Sequence, residues 1–314
     1  MSLACPVRGC GEALRRGEGR FLACPRGHRF DLARSGYCNL LQPQDKRSRH
    51  PGDPAAAVAA RRRLFDAGHG DWLLPHLRAA LDRLPLPPAQ PTDATAPSGD
   101  TGLGGMPAVP GLGGAPAVPN LGGMPAVLDI GCGEGFYLGT LVRERGFVAH
   151  GLDLAAAAVD LAARRYPAAT WVVANADRFL PYTAGSIDLA MSLTARINPP
   201  EIRRILRGAP AGHLLIAVPG PDDLVELRAA VLGEGELRDR LQQALAALAA
   251  DFDLVWQGSA RTVLHLDADA LRDLLAATYR GARGSQREQA AALTAREVTM
   301  SRDLACLRPR RETR

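Results

Sequence analysis

The stretch Ala126-Val127-Leu128-Asp129-Ile130-Gly131-Cys132-Gly133-Glu134-Gly135, with the run Phe136–Arg145 behind it, decides the fold of this 314-residue chain. Ala126–Ile130 is short and mostly apolar and predicts a buried strand. Three glycines at alternate positions predict a tight turn whose backbone can approach a ligand closely, with a helix opening after it. The same grammar repeats downstream. Residues 148–152 read as a second strand ending in Asp153, 155–166 as a helix, and Thr170–Val173 as a third strand. Residues 187–193 read as a fourth strand, 200–206 as a helix and 213–218 as a fifth strand. Strands alternating with helices predict a doubly wound α/β fold with a parallel-rich sheet. Beyond Pro221 the pattern predicts one long helical stretch to about Ala250. Strands near 253–256 and 263–266, a helix near 267–277 and a final strand near 297–307 follow.

The turn carries the first chemical argument. Asp153 lies 18 residues after Gly135, at the end of the next predicted strand, where a carboxylate can accept from both hydroxyls of a ribose. A dinucleotide site shares both features. However, the spacing here is Gly-x-Gly-x-Gly, one residue short of the dinucleotide pattern, and Asp129 two residues before Gly131 would repel a pyrophosphate. Asp129 suits the ammonium of an amino-acid end instead. Asp177, in Ala174-Asn175-Ala176-Asp177 after the third strand, is placed to accept from an adenine amino group. Asp129, Gly131, Gly133, Gly135, Asp153 and Asp177 in register with the strands point to S-adenosylmethionine, and so to a Rossmann-like class I methyltransferase domain.

Working outward, the N-terminal fifth has a different character. Four of the six cysteines fall within the first 38 residues. Cys5 and Cys10 form one knuckle, Cys24 and His28 another, and a short strand-like segment near 20–23 joins them. Four such ligands suit one tetrahedral Zn²⁺, and a unit this small cannot stabilise itself with a core alone. Cys38, Cys132 and Cys306 read as buried or small side chains. Residues 1–63 hold thirteen Lys or Arg against five Asp or Glu, whereas the whole chain carries +5, so the excess positive charge is N-terminal. That asymmetry suits a nucleic-acid-facing module on a near-neutral body.

Four segments are expected: a zinc-binding module at 1–41, a basic loop and helical segment at 42–84, a linker at 85–126 and the methyltransferase domain at 127–314. The second holds two helices split by Gly68 and Gly70. The third carries Leu103-Gly104-Gly105-Met106-Pro107-Ala108-Val109-Pro110, repeated from Leu112 and again from Leu121, and its Pro and Gly content blocks regular structure. No apolar run is long enough for a membrane span and no secretory signal is evident, so a cytoplasmic protein is expected.

The residues resemble the bacterial 23S rRNA guanine-N1 methyltransferases. The match is carried by the zinc knuckles with Gly27-His28-Arg29-Phe30-Asp31, Gly36-Tyr37-Cys38-Asn39-Leu40-Leu41 and Lys46-Arg47-Ser48-Arg49-His50-Pro51-Gly52-Asp53. It continues through Ala60-Arg61-Arg62, Phe65-Asp66-Ala67-Gly68-His69, the glycine turn, and Asn198-Pro199-Pro200-Glu201-Ile202-Arg203. The first knuckle departs from the family's usual Cys-x₂-Cys by two inserted residues, and the linker is longer. The resemblance implies methylation of N1 of a guanine in the hairpin 35 loop of 23S rRNA, a homodimer, and zinc ligands at Cys5, Cys10, Cys24 and His28. A small-molecule or other-RNA methyltransferase with a structural zinc module is the competing reading. A non-catalytic RNA-binding protein is the third, and the intact acidic positions argue against it.

Transfer to guanine N1 needs a base or a stabilised O6, because N1 is protonated at neutral pH. The sequence does not single out the base; Thr194, Arg196, Asn198 and His69 are the candidates. Asn198 or Pro199 reads as the cap of a helix. Lys46, Arg47, Arg49, Arg61 and Arg62 are the expected RNA surface, with Arg8, Arg26, Arg29 and Arg63 beside them, since arginine suits phosphates and splayed bases.

Overall fold

A computed structural model describes residues 2–46, 51–86, 123–232, 239–278 and 296–311. The first two copies of the Pro/Gly repeat, Arg47 and Arg49 lie outside the described residues, and the third copy is described from Gly123, where it runs into the strand Ala126–Ile130. Near the N-terminus, β1 (Arg15–Arg16), β2 (Phe21–Ala23) and β3 (Arg29–Asp31) form a small antiparallel sheet. Then follow β4 (Cys38–Asn39), α1 (Ala55–Asp66) and α2 (Leu74–Asp82), with a 3-10 turn Asp71–Leu73 between the two helices.

The main body alternates β5 (Ala126–Ile130), α3 (Phe136–Arg145), β6 (Val148–Asp153), α4 (Ala156–Arg165), β7 (Thr170–Val173), β8 (Leu189–Leu193), α5 (Pro199–Ile205) and β9 (His213–Pro219). After these come α6 (Val225–Leu232), α7 (Arg240–Leu248), β10 (Phe252–Leu266), α8 (Ala268–Thr278) and β11 (Arg296–Pro309). One eight-stranded sheet results, in the order β10-β11-β9-β8-β5-β6-β7-β4. Strands β4 to β9 pair parallel, and β11 and β10 run antiparallel at one edge. From β5 the chain moves outward through β6 and β7, then returns to β8 on the other side of β5. The glycine turn therefore opens at the switch point of the sheet, where open α/β folds leave a crevice beyond the strand ends.

β5 is buried along its whole length, as a central parallel strand must be, with helices or other cover on both faces. Leu128 and Ile130 face one core layer, Val127 the other. The first layer also takes Ile202 of α5 and Leu248 of α7, and it is completed by Leu3, Leu14, Leu22, Leu32 and Leu40 from the N-terminal module. The second takes Leu77 and Leu81 of α2, Leu138 and Leu141 of α3, and Trp171. The N-terminal module is thus no separate bead. Ala4 N–H donates to Pro181 O (2.9 Å), Leu3 bridges to Tyr182, and β4 adds the eighth strand beside β7.

Two expectations are corrected. The long helical stretch after Pro221 is two helices, α6 and α7. The two separate strands expected near 253–256 and 263–266 are one strand, β10, because β11 pairs with it through Gly258 and its neighbours. Trp256 lies over Gly258, and a Cβ there would meet the indole at 2.5 Å, so the glycine marks a close approach within the strand and no break. Asn198 is the N-cap residue of α5, as expected; its side chain makes no capping bond, and Nδ2 donates across to Ala176 O (3.0 Å).

Candidate functional site

In the N-terminal module, Cys10 N–H donates to Val7 O and Gly27 N–H to Cys24 O, closing the two knuckles. Gly9 and Gly27 adopt positive φ, which lets each loop turn inside its ligand pair, and Gly11 does so just after Cys10. The Sγ atoms of Cys5, Cys10 and Cys24 and a ring nitrogen of His28 all lie within 4.8 Å of one another. Cys10 Sγ to Cys24 Sγ is 3.8 Å, Cys5 Sγ to His28 Nδ1 is 3.5 Å, and Cys24 Sγ to His28 Nδ1 is 3.4 Å. A tetrahedron with Zn–S of about 2.3 Å has S···S edges of about 3.8 Å, so the four donors have the spacing a zinc ion requires. The two inserted residues of the first knuckle loop outward without pulling Cys10 from the set.

At the switch point, Gly131, Gly133 and Gly135 all take positive φ. Gly131 N–H donates to Leu152 O (2.7 Å), binding the turn to β6. A Cβ on Gly131 would meet Ala195 at 2.3 Å, and one on Gly135 would meet Trp171 at 2.3 Å, so both sites exclude any larger residue. Asp153 closes the turn from the next strand: its carboxylate accepts from Gly133 N–H (2.9 Å) and from Ala155 N–H (2.8 Å). Burial raises its pKa against those two bonds.

Asp129 is buried below the turn, and its Oδ1 has no hydrogen-bond partner among the described residues. Burial, with the charge of Asp153 second, pushes its pKa up to about 7. An orphaned buried carboxylate beneath a glycine cradle fits the ammonium of an S-adenosylmethionine amino-acid end; an anionic pyrophosphate would be repelled. Asp177 is half-buried and stands farther out, paired with Arg196 Nη1 at 3.3 Å.

Glu134, Asp53 and Ala195 escaped the sequence reading. Glu134 is 1% exposed and neither carboxylate oxygen has a hydrogen-bond partner among the described residues. A charged residue inside the glycine turn was a signal available in the sequence. Asp53 holds Arg61, and Gly52 lies against the backbone of Ala155, which seats the start of the helical segment at the mouth of the cofactor turn. Phe65 stacks on Phe136 with centroids 4.4 Å apart, and Tyr137 O–H donates to Gly70 O, so α1 and the loop after it pack over the start of α3.

The expected RNA residues divide. Lys46 is exposed. Arg61 and Arg62 do not face outward as expected. Helical periodicity turns Arg61 toward Asp53 and Glu134, and Arg62 makes a two-bond pair with Asp66. Arg63 pairs with Asp273. A cavity of about 530 Å³ opens between the first knuckle, with Arg8 on its wall, and Arg178 and Phe179 after β7. Of the candidate bases, Thr194 is exposed at positive φ, Arg196 joins Asp177, and Asn198 joins Ala176. These loops follow β7 and β8. His69 sits on the separate loop after α1, and no proton acceptor is singled out.

A doubly wound sheet, a glycine turn at its switch point and carboxylates before and after that turn define a Rossmann-like S-adenosylmethionine-dependent methyltransferase. Residues 127–210 match the family model described as "Methyltransferase domain", and residues 3–49 match the zinc-ribbon model described as "RlmA, N-terminal". The chain is 36% identical over 279 residues to the 23S rRNA (guanine(748)-N(1))-methyltransferase of Streptomyces fradiae, covering 87% of this chain and 83% of that one. It is 34% identical over 229 residues to a Micromonospora griseorubida protein provisionally named as a 23S rRNA (guanine-N1)-methyltransferase, covering 72% and 68%. The chain belongs to the 23S rRNA (guanine-N1)-methyltransferase family. Among the described residues, no helix is long and apolar enough to cross a membrane.

Proposed function

We propose that this protein transfers the methyl group of S-adenosylmethionine to N1 of a guanine in the hairpin 35 loop of 23S rRNA. The observation that carries the donor half is the unpartnered Asp129 carboxylate beneath the glycine turn. The acceptor half rests on membership of the family. Asp129 holds the donor's ammonium, Asp153 its ribose and Asp177 its adenine amino group, while Gly131, Gly133 and Gly135 let the chain lie against it. When bound, the donor supplies an electrophilic methyl on a sulfonium. The N1 electron pair forms the new N–C bond, the S–C bond breaks to leave a thioether, and the N1 proton passes to a base or to water. The loops carrying Thr194, Arg196 and Asn198, and the loop after α1 with His69, hold the candidate proton acceptors. The zinc held by Cys5, Cys10, Cys24 and His28 keeps the basic knuckles rigid. Lys46, Arg47 and Arg49 with Arg8, Arg26 and Arg29 form the RNA surface.

In this reading the chain is organised as a zinc module, a basic helical segment, a linker and a methyltransferase domain. It works as a homodimer in the cytoplasm, where ribosomal RNA is found. Mass mapping of 23S rRNA from cells lacking the protein tests it. The N1-methyl mark on a hairpin 35 guanine should disappear, and purified protein with labelled donor should restore it. Retention of every N1-methylguanine in that hairpin would refute the RNA assignment. Transfer to a small molecule without RNA would support a small-molecule methyltransferase instead.

A further inference from the structure

Arg61 lies at the cofactor turn. Its guanidinium pairs with Asp53, and its Nη1 stands 3.8 Å from a Glu134 carboxylate oxygen, within ion-pair range but beyond a hydrogen bond. The same nitrogen lies against the glycine turn: a Cβ on Gly133 would sit 3.1 Å from it. Among the described residues no hydrogen bond to Nη1 is found, so this donor is available. The side chain is mostly buried, and it keeps a partial opening of 26%.

The charges around the turn explain what that donor is for. Asp129, Glu134 and Asp153 place three carboxylates in and beside the turn, with Asp53 a fourth close by. The amino-acid end of the methyl donor is a zwitterion. Its ammonium meets Asp129. Its carboxylate would be repelled by all of these acids unless a cation stood among them, and a planar guanidinium is the group best matched to a carboxylate. Among the described residues, Arg61 is the cation within ion-pair distance of a turn carboxylate. Asp53 holds it at the turn through Nη2, and Glu134 faces Nη1 beyond hydrogen-bond distance.

We infer that Arg61 is the counter-ion for the carboxylate of S-adenosylmethionine, a donor-binding residue contributed by α1 from outside the methyltransferase domain. This inference rests on reading the turn as a donor site. It makes the segment between zinc module and linker a working part of the cofactor site, so donor binding also fixes α1 over the mouth of the cleft.

The test is equilibrium calorimetry of the full chain with two ligands. One is S-adenosylhomocysteine; the other is its analogue with the carboxyl replaced by hydrogen. Wild type should prefer the first by about tenfold to a hundredfold, the range for one charge-assisted hydrogen bond. Arg61→Gln should lose most of that preference while binding the decarboxylated analogue within about threefold of wild type. Arg61→Lys should keep part of the preference, since it keeps the charge and loses the fork. If Arg61→Gln weakens both ligands alike, or leaves the preference intact, Arg61 is structural and the inference fails. If wild type binds neither ligand, the donor-site reading itself fails and takes this inference with it.

Discussion

Asp153 and Asp129 look equivalent in sequence and differ in what surrounds them. Asp153 already accepts two backbone N–H groups, so removing it costs the closure of the turn and, on the proposed reading, a ribose partner as well. Asp153→Ala should lower S-adenosylmethionine affinity by at least about tenfold, read by calorimetry. Among the described residues Asp129 has no such support, and burial holds its pKa up to about 7. Donor affinity should therefore rise between pH 6 and 8 as Asp129 ionises, and Asp129→Asn should flatten that rise. The stability sign is opposite. A carboxyl whose folded pKa lies above its unfolded value of 3.8 contributes fully at low pH, and that contribution is lost as pH rises towards about 7. Ligand-free Asp129→Asn should melt above wild type at pH 8, with the gap narrowing at pH 5. His150, pushed down to about 3 by burial, has the contrary slope, so the difference between the two proteins at each pH isolates Asp129.

At the scale of elements, the zinc knuckles and β10 show how local and tertiary constraints meet. The knuckles close by their own turns, yet the four donors converge only across 23 residues of chain. Cys24→Ser should lose bound zinc, read by metal analysis of the purified protein; full retention would refute the ligand set. Strand β10 continues through Gly258 because β11 supplies its pairing and Trp256 covers the missing side chain. Gly258→Val should push the indole aside and cost about 1–3 kcal/mol, measured by denaturant unfolding.

In the whole molecule, the zinc module and the sheet share one core layer. Leu3, Leu14, Leu22 and Leu32 lie in the same cluster as Leu128, Ile130 and Leu180. Stripping zinc should therefore loosen more than the first 41 residues. All three tryptophans, Trp72, Trp171 and Trp256, lie outside the module. Chelator treatment should still lower the melting temperature reported by tryptophan fluorescence by several degrees. An unchanged tryptophan transition after verified zinc loss would show that the module and the sheet unfold independently.

Sequence alone determined the parts set by local chemistry. Glycines at alternate positions, an acid at each following strand end, and Cys and His in two knuckles identify themselves, because turn geometry and ligand type act over a few residues. The alternation of strand and helix from Ala126 onward was legible for the same reason. Tertiary structure alone decided what depends on residues far apart. Pairing with β11 joined two apparent strands into one, and pairing with β7 turned Cys38–Asn39 into the sheet's outer strand. The direction of Arg61 was also settled there. Its neighbours in sequence are basic and read as an RNA face, but Asp53 and Glu134, brought together by folding, turn its guanidinium to the glycine turn. Charge composition is additive along the chain. The partner of a charge depends on where the backbone carries it, and that follows from packing.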